Sequence, residues 1–360
     1  MDFSPELGTV VAAMRARFDP DIASSAKAPS ALAGDGVMHI AVRNKLVLLL
    51  GDQLQPALSD AHLRYTDYYR HQTMQMNSAI LRESVSLFQL LKDNNEECIF
   101  IKGPIQQKII YGDFFSRPTS DIDILVDPSS YRRVSNILSQ QGYNSHSSSL
   151  WWRLFLGEQH LTKVGPPPLI VDLHYRMQQP GSPAPRSTRD YLSKPDRTSV
   201  MGVELPHLAN HNVPVMSAIS IVKGLFNRES VGAHVADLYA CIRADVPHQL
   251  NNFLTVASQQ HLLGTAMLAL RIVSETFGVR LQPASEIQAM LPGVSGTDLV
   301  RMALTPDDPT LLWPKRREVL WHLCLKHPGR YAKEATRALA SETALRLFER
   351  PAEPVKRQPG

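Results

Sequence analysis

A chain of 360 residues with 38 Lys and Arg against 34 Asp and Glu carries a formal charge of only +4, and 43% of it is hydrophobic. That balance excludes a disordered or collagen-like polymer, and the length allows two or three units that each bury a core. The strongest apolar runs, Leu46–Leu50 and Ile122–Val126, fall far short of the roughly 18–20 residues of a membrane span.

Asp2 and Glu6 stand where a secretory signal is basic, so a cytoplasmic protein with no membrane partner is expected. Residues 1–36 end in SSAKAPSALAGDG, which has little periodic apolar character and reads as a flexible N-terminal segment. Residues 37–94 read as a helical cap. The stretch LRYTDYYRHQTMQMNSAILRESVSLFQLLKDNN repeats apolar residues at three- and four-residue steps without Pro or Gly.

The character changes after that helix. CIFIKG is a short buried strand, Pro104 suits the first position of a helix, and SDIDILVD is a second, strictly alternating strand. A helix from Asp127-Pro128 to Gly142 comes next. EQHLTKV and LIVDLHYRM then flank GPPP as two antiparallel strands. These elements make a core unit over 95–178. A Pro/Gly/Ser/Arg-rich linker, 179–196, leads to a C-terminal helical domain over 197–350 and a disordered tail, 351–360. The expected fold class is α+β: a small mixed β-sheet flanked by an N-terminal helical cap and a C-terminal helical domain.

Charge is uneven along the chain, because residues 315–357 hold eleven Lys and Arg against five Asp and Glu. They alternate with Leu, Trp and Ala at helical spacing, which reads as solvated helix faces. Cys98, Cys241 and Cys324 lie far apart with no C-x-x-C pair, so isolated reduced thiols are expected.

The chemistry concentrates in KGPIQQKIIYGDFFSRPTSDIDILVD. Side chains alternate across a strand, so Asp121 and Asp123 share one face while Ile122, Ile124 and Val126 share the other. Two carboxylates held this close repel, and a divalent cation removes the conflict. Mg²⁺ takes carboxylate oxygens and leaves positions for substrate phosphates. A third carboxylate permits a second ion that clamps attacking and leaving oxygens. Asp172 is the candidate, since in LIVDLHYR it shares a strand face with His174 and Arg176. Lys102 and Gly103 end a strand and open a helix, where amides and dipole can hold phosphate. Arg117 and Ser120 precede the aspartates and can reach phosphate oxygens. His174 is a further candidate contact for substrate. Asp237, inside a helical pattern, can reach back towards the active site or cap or pair locally, and the local role is the one expected; His160 is expected to be structural, and Trp151-Trp152 to belong to a core or interface.

In this arrangement the chain resembles the DNA polymerase β-type nucleotidyltransferase superfamily. More closely, K-G, Y-G-D, R-P-T-S-D-I-D-I-L-V and V-D-L-H-Y resemble the bacterial uncharacterised nucleotidyltransferase family. The resemblance implies binding of Mg-NTP, with ATP the expected nucleotide, and transfer of a nucleoside monophosphate to an acceptor with release of pyrophosphate. By matching positions, Asp121, Asp123 and Asp172 would be metal ligands and catalytic groups, and Gly103 would lie at the phosphate-binding turn. Pro104 stands where the superfamily has Ser, which removes a hydroxyl and an amide donor. The acceptor class expected is a small molecule, peptide or protein rather than nucleic acid. The alternatives are a catalytically degenerate nucleotide-binding regulatory module and an RNA-modifying transferase that uses the basic helices.

Overall fold

The computed structural model describes residues 3–19, 34–145, 155–243 and 246–348. The Trp151-Trp152 pair and the tail 351–360 lie outside them.

Seven strands, β1 (Cys98–Phe100), β2 (Ile122–Val126), β3 (Tyr143–Ser145), β4 (Glu158–Lys163), β5 (Leu169–His174), β6 (Asp196–Val200) and β7 (Val203–His207), form one mixed sheet in the order β3-β4-β5-β2-β1-β7-β6. β2 lies between parallel β5 and antiparallel β1, and β4 pairs antiparallel with β5. β2 is buried along its whole length.

Helices of eight or more residues, in chain order, are α1 (Pro5–Phe18), α2 (Gly34–Arg43), α3 (Asp60–Asp93), α4 (Gly103–Tyr111) and α5 (Tyr131–Gln140), all before β3. After β7 come α6 (Val213–Asn227), α7 (Gly232–Arg243), α8 (Val246–Gln259), α9 (Leu263–Phe277), α10 (Gly296–Leu304), α11 (Arg316–Leu323) and α12 (Pro328–Phe348). The fold is thus α+β, with a mixed sheet between helical flanks.

Each sheet face has its own core. Ile122, Ile124 and Val126 of β2 pack with Ile80, Leu81, Leu87 and Leu91 of α3 and with Val134 and Leu138 of α5. The α3 positions recur at helical spacing, so one stripe of that long helix is buried while Tyr65, Tyr68 and Met74 are exposed. Ser59 and His62 close a capping box at its start. Leu125, with Ile99 and Ile101, joins the second core, which holds α1, α2 and the helices that follow the sheet. α6 is apolar on nearly every side and sits inside that core, as all-round hydrophobicity requires.

Two expectations are corrected. Residues 1–36 are not wholly loose, because Ser4 caps α1 and the helix buries Leu7, Val10, Val11, Met14 and Phe18. Each such side chain contributes about 1.5–3 kcal/mol, and Arg15 Nε donates to Thr276 O (2.8 Å) near the end of α9. The sheet also extends beyond residue 178. β6 and β7 form a hairpin turned by Met201 (φ 51°) and Gly202 (φ 80°), and β7 pairs parallel with β1 at Phe100 and His207. The mostly exposed, polar β6 gives little apolar alternation to read.

Candidate active site

Register brings the polar residues together. Asp123 lies opposite Asp172 across the β2–β5 pair, and His160 lies opposite Asp172 across the β4–β5 pair. One step along, Glu158 lies opposite His174. Directly paired residues project to the same side, so these side chains share the face toward the second core. Asp121 joins them one alternation before Asp123. Asp121, Asp123, Glu158, Asp172 and His174, together with Lys45, Lys102, Arg117, Lys223 and His234, line a cavity of about 190 Å³, which His160 backs without lining. This is below the roughly 300–1,000 Å³ of small-molecule pockets, and suits a metal and phosphates rather than a whole nucleotide. A larger cavity, about 710 Å³, lies on α3 around His71 and Pro166, away from the carboxylates.

The loop ahead of β2 is fixed from two helices. Asn77 of α3 donates to Phe114 O (2.8 Å) and Arg117 O (3.0 Å) and accepts from the Thr119 N–H (3.1 Å). Gln107 of α4 accepts from the Arg117 N–H (3.0 Å) and donates to Thr119 Oγ1 (3.0 Å). Thr119 and Asp121 therefore point into the cavity, whereas Ser120 between them is exposed and does not line it. Extended alternation places the expected phosphate contact Ser120 on the wrong side.

Arg117 is also not a free cation. Its guanidinium donates to Asp237 Oδ2 (2.7 Å), and Tyr111 Oη donates to Asp237 Oδ1 (2.8 Å). Burial opposes ionisation of Asp237, but Arg117 and His234 hold its carboxyl below the usual range. The local pairing expected for Asp237 is present but is not the main one: His234 Nδ1, one turn earlier on α7, lies 3.7 Å away, while Arg117, from the loop ahead of β2, is its strongest partner. Burial pushes His234, on the same helix, down to about 4.

The carboxylates differ in electrostatics. Burial alone would raise Asp123. Lys102 Nζ at 3.6 Å and His174 Nε2 at 3.1 Å reverse that and hold it well below the usual carboxylate range. Burial and the charge of Asp123 push Asp172 up to about 6 and also raise Asp121. Glu158 is half-buried, which would raise it, yet His174 (3.7 Å) and Lys223 (3.6 Å) bring it below its ordinary value. His160 Nδ1 lies 2.7 Å from Asp172 Oδ1. Gly103 opens α4 at φ 75°, a conformation that glycine adopts without cost, and Pro104 leaves the first turn one amide short.

This set fits a divalent cation. Ligand atoms of Asp123, Asp172 and His174 all lie within 4.8 Å of one another. Asp121 and Asp172 are held against ionisation by burial and by the charge of Asp123, a conflict that a bound cation relieves.

Of the residues named from sequence, Lys102, Gly103, Arg117, Asp121, Asp123, Asp172 and His174 border the cavity. Lys45, Glu158, Lys223 and His234 were not named from sequence. Lys45 comes from the turn after α2, and Lys223 and His234 from helices α6 and α7, all distant in sequence. Glu158 and His160 did leave a signal, since E-x-H on one strand of an antiparallel hairpin faces D-x-H on the other.

The mixed sheet thus presents paired aspartates and a histidine that could hold a metal ion, with a positive-φ glycine and a lysine beside them. The family model of the uncharacterised nucleotidyltransferases matches residues 32–278, well over half of the chain, and the protein belongs to that family. Comparison with curated proteins returns no match.

Proposed function

We propose that the protein is a Mg²⁺-dependent nucleotidyltransferase of the polymerase β type, which moves a nucleoside monophosphate from an NTP, ATP first among them, to a hydroxyl- or amine-bearing acceptor. The observation that carries this reading is the register of Asp123 against Asp172, with Asp121 one alternation away and all three on one cavity. Asp121, Asp123 and Asp172 would hold the metal, which supplies charge neutralisation for the triphosphate; His174 is a further donor within reach.

The chain's own groups then divide the work. Lys102 and the glycine turn at the start of α4 face the leaving phosphates. The acceptor's oxygen or nitrogen forms a bond to the α-phosphorus, the bond from that phosphorus to the bridging oxygen breaks, and pyrophosphate departs. Asp172 would take the acceptor's proton, as a carboxylate facing the reacting group can, and His160 at 2.7 Å orients it. Lys223 and Glu158 fix His174 beside Asp123.

The test uses ATP labelled at the α- or the γ-phosphate, Mg²⁺ and a panel of small-molecule and peptide acceptors. The reading expects α-label on product with equimolar pyrophosphate. Transfer of the γ-label would make the protein a phosphotransferase and overturn it.

A further inference from the structure

Resting on the nucleotidyltransferase reading above, we propose that Lys45, in the turn after α2, binds the triphosphate of the nucleotide and replaces a contact that the Gly103-Pro104 turn lacks.

The argument begins with the cavity's cations. Lys102 lies 3.6 Å from Asp123, Lys223 lies 3.6 Å from Glu158, and Arg117 is bonded to Asp237 at 2.7 Å. Each already has a carboxylate. Lys45 lines the same cavity, and among the described residues no hydrogen bond or ion pair engages its ammonium. Burial lowers its pKa, and the charges it meets at longer range are of both signs, Asp121 and Asp123 favouring the ammonium and Arg117 and Lys102 opposing it. An incoming polyanion would find here a cation that need not break an existing pair.

The backbone under Lys45 is built for its position. Lys45 has φ 56°, a left-handed conformation that is costly for a non-glycine residue and usually left to Gly or Asn. The adjacent Asn44 is buried and fully engaged. Its amide donates to Ile40 O (2.9 Å) and Leu304 O (2.8 Å), and its carbonyl accepts from Gly232 N–H (2.8 Å). Gly232 is required for that approach, because a Cβ there would come within 2.6 Å of Asn44 Oδ1. One side chain thus ties α2 to α7 and α10, and the following lysine is held at the cavity by a locked turn. A long flexible cation on a fixed base can reach phosphate oxygens without a change of backbone. On the other wall Pro104 has no N–H to offer, so the α4 turn has one donor fewer for the same oxygens.

The test measures binding of ATP with Mg²⁺, of AMP and of inorganic tripolyphosphate to the wild-type protein, Lys45→Ala and Lys45→Arg, with thermal midpoints as the fold control. Lys45→Ala is expected to weaken ATP and tripolyphosphate by about ten- to hundredfold, the range of one charge-assisted hydrogen bond. AMP should change by less than about twofold, and Lys45→Arg should recover most of the loss. Unchanged ATP and tripolyphosphate binding in Lys45→Ala would overturn the assignment, as would an equal loss for AMP. A wild-type protein that binds none of the three would instead overturn the nucleotidyltransferase reading and this proposal with it.

Discussion

The two faces of β2 are one residue apart in sequence and opposite in chemistry. On one, Ile122, Ile124 and Val126 are sealed against α3 and α5; on the other, Asp121 and Asp123 front a polar cavity. The carboxylate face is electrostatically uncomfortable, as the raised Asp121 and Asp172 show. The apolar face supplies what holds it, since each buried Ile or Val contributes about 1.5–3 kcal/mol. A one-residue slip would exchange the faces, so register is set by the isoleucines and used by the aspartates.

The largest effect that breaks this comparison comes from a deeply buried ion pair on the polar side. Asp237→Ala leaves Arg117 buried without its partner and should cost about 3–5 kcal/mol, read from the urea midpoint. A loss below 1 kcal/mol would show that water reaches Arg117. On the apolar face Ile124→Ala should cost about 2–4 kcal/mol by opening a cavity. Its counterpart Asp121→Asn should leave stability unchanged or raise it by up to about 1 kcal/mol, because one of two repelling charges is gone. If both variants destabilise alike, the division of labour between the faces is wrong.

A pH titration sharpens the comparison further. The unfolded chain protonates His234 near 6.5, while the folded protein resists until about pH 4. Its contribution is therefore present above pH 6.5 and lost as pH falls toward 4. Asp172, raised to about 6, has the opposite sign and gains stability over roughly the same window. Comparing wild type with His234→Gln isolates the histidine. The variant should lose less stability between pH 6.5 and 4, and parallel curves would contradict the assignment. The smallest effect is expected of Ser120→Ala, within about 0.5 kcal/mol and with nucleotide binding unchanged, since Ser120 is exposed and turned from the cavity.

What could be read in advance follows from periodicity. Alternation in SDIDILVD and LIVDLHYR assigns side chains to faces, which is why Asp121, Asp123, Asp172 and His174 could be grouped from sequence. Alternation says nothing about which helix covers a face. Lys45, Lys223, His234 and the Arg117–Asp237 pair reach the cavity only because α2, α6 and α7 pack over it. Asp237 illustrates the loss: within its own helix it offers only local partners, and its strongest one lies at Arg117, across the fold. The β6–β7 hairpin escaped for a different reason, its outer strand being too polar and exposed to show the alternation that marks a half-buried strand.

The central claim, that the polar face of β2 is a metal-nucleotide site, is tested most directly by calorimetric titration of ATP with Mg²⁺ into wild type and the Asp121→Ala/Asp123→Ala double variant. Saturable, Mg²⁺-dependent binding by the wild type that falls by at least about a hundredfold in a still-folded variant is the predicted result. Undiminished binding in the variant would contradict it.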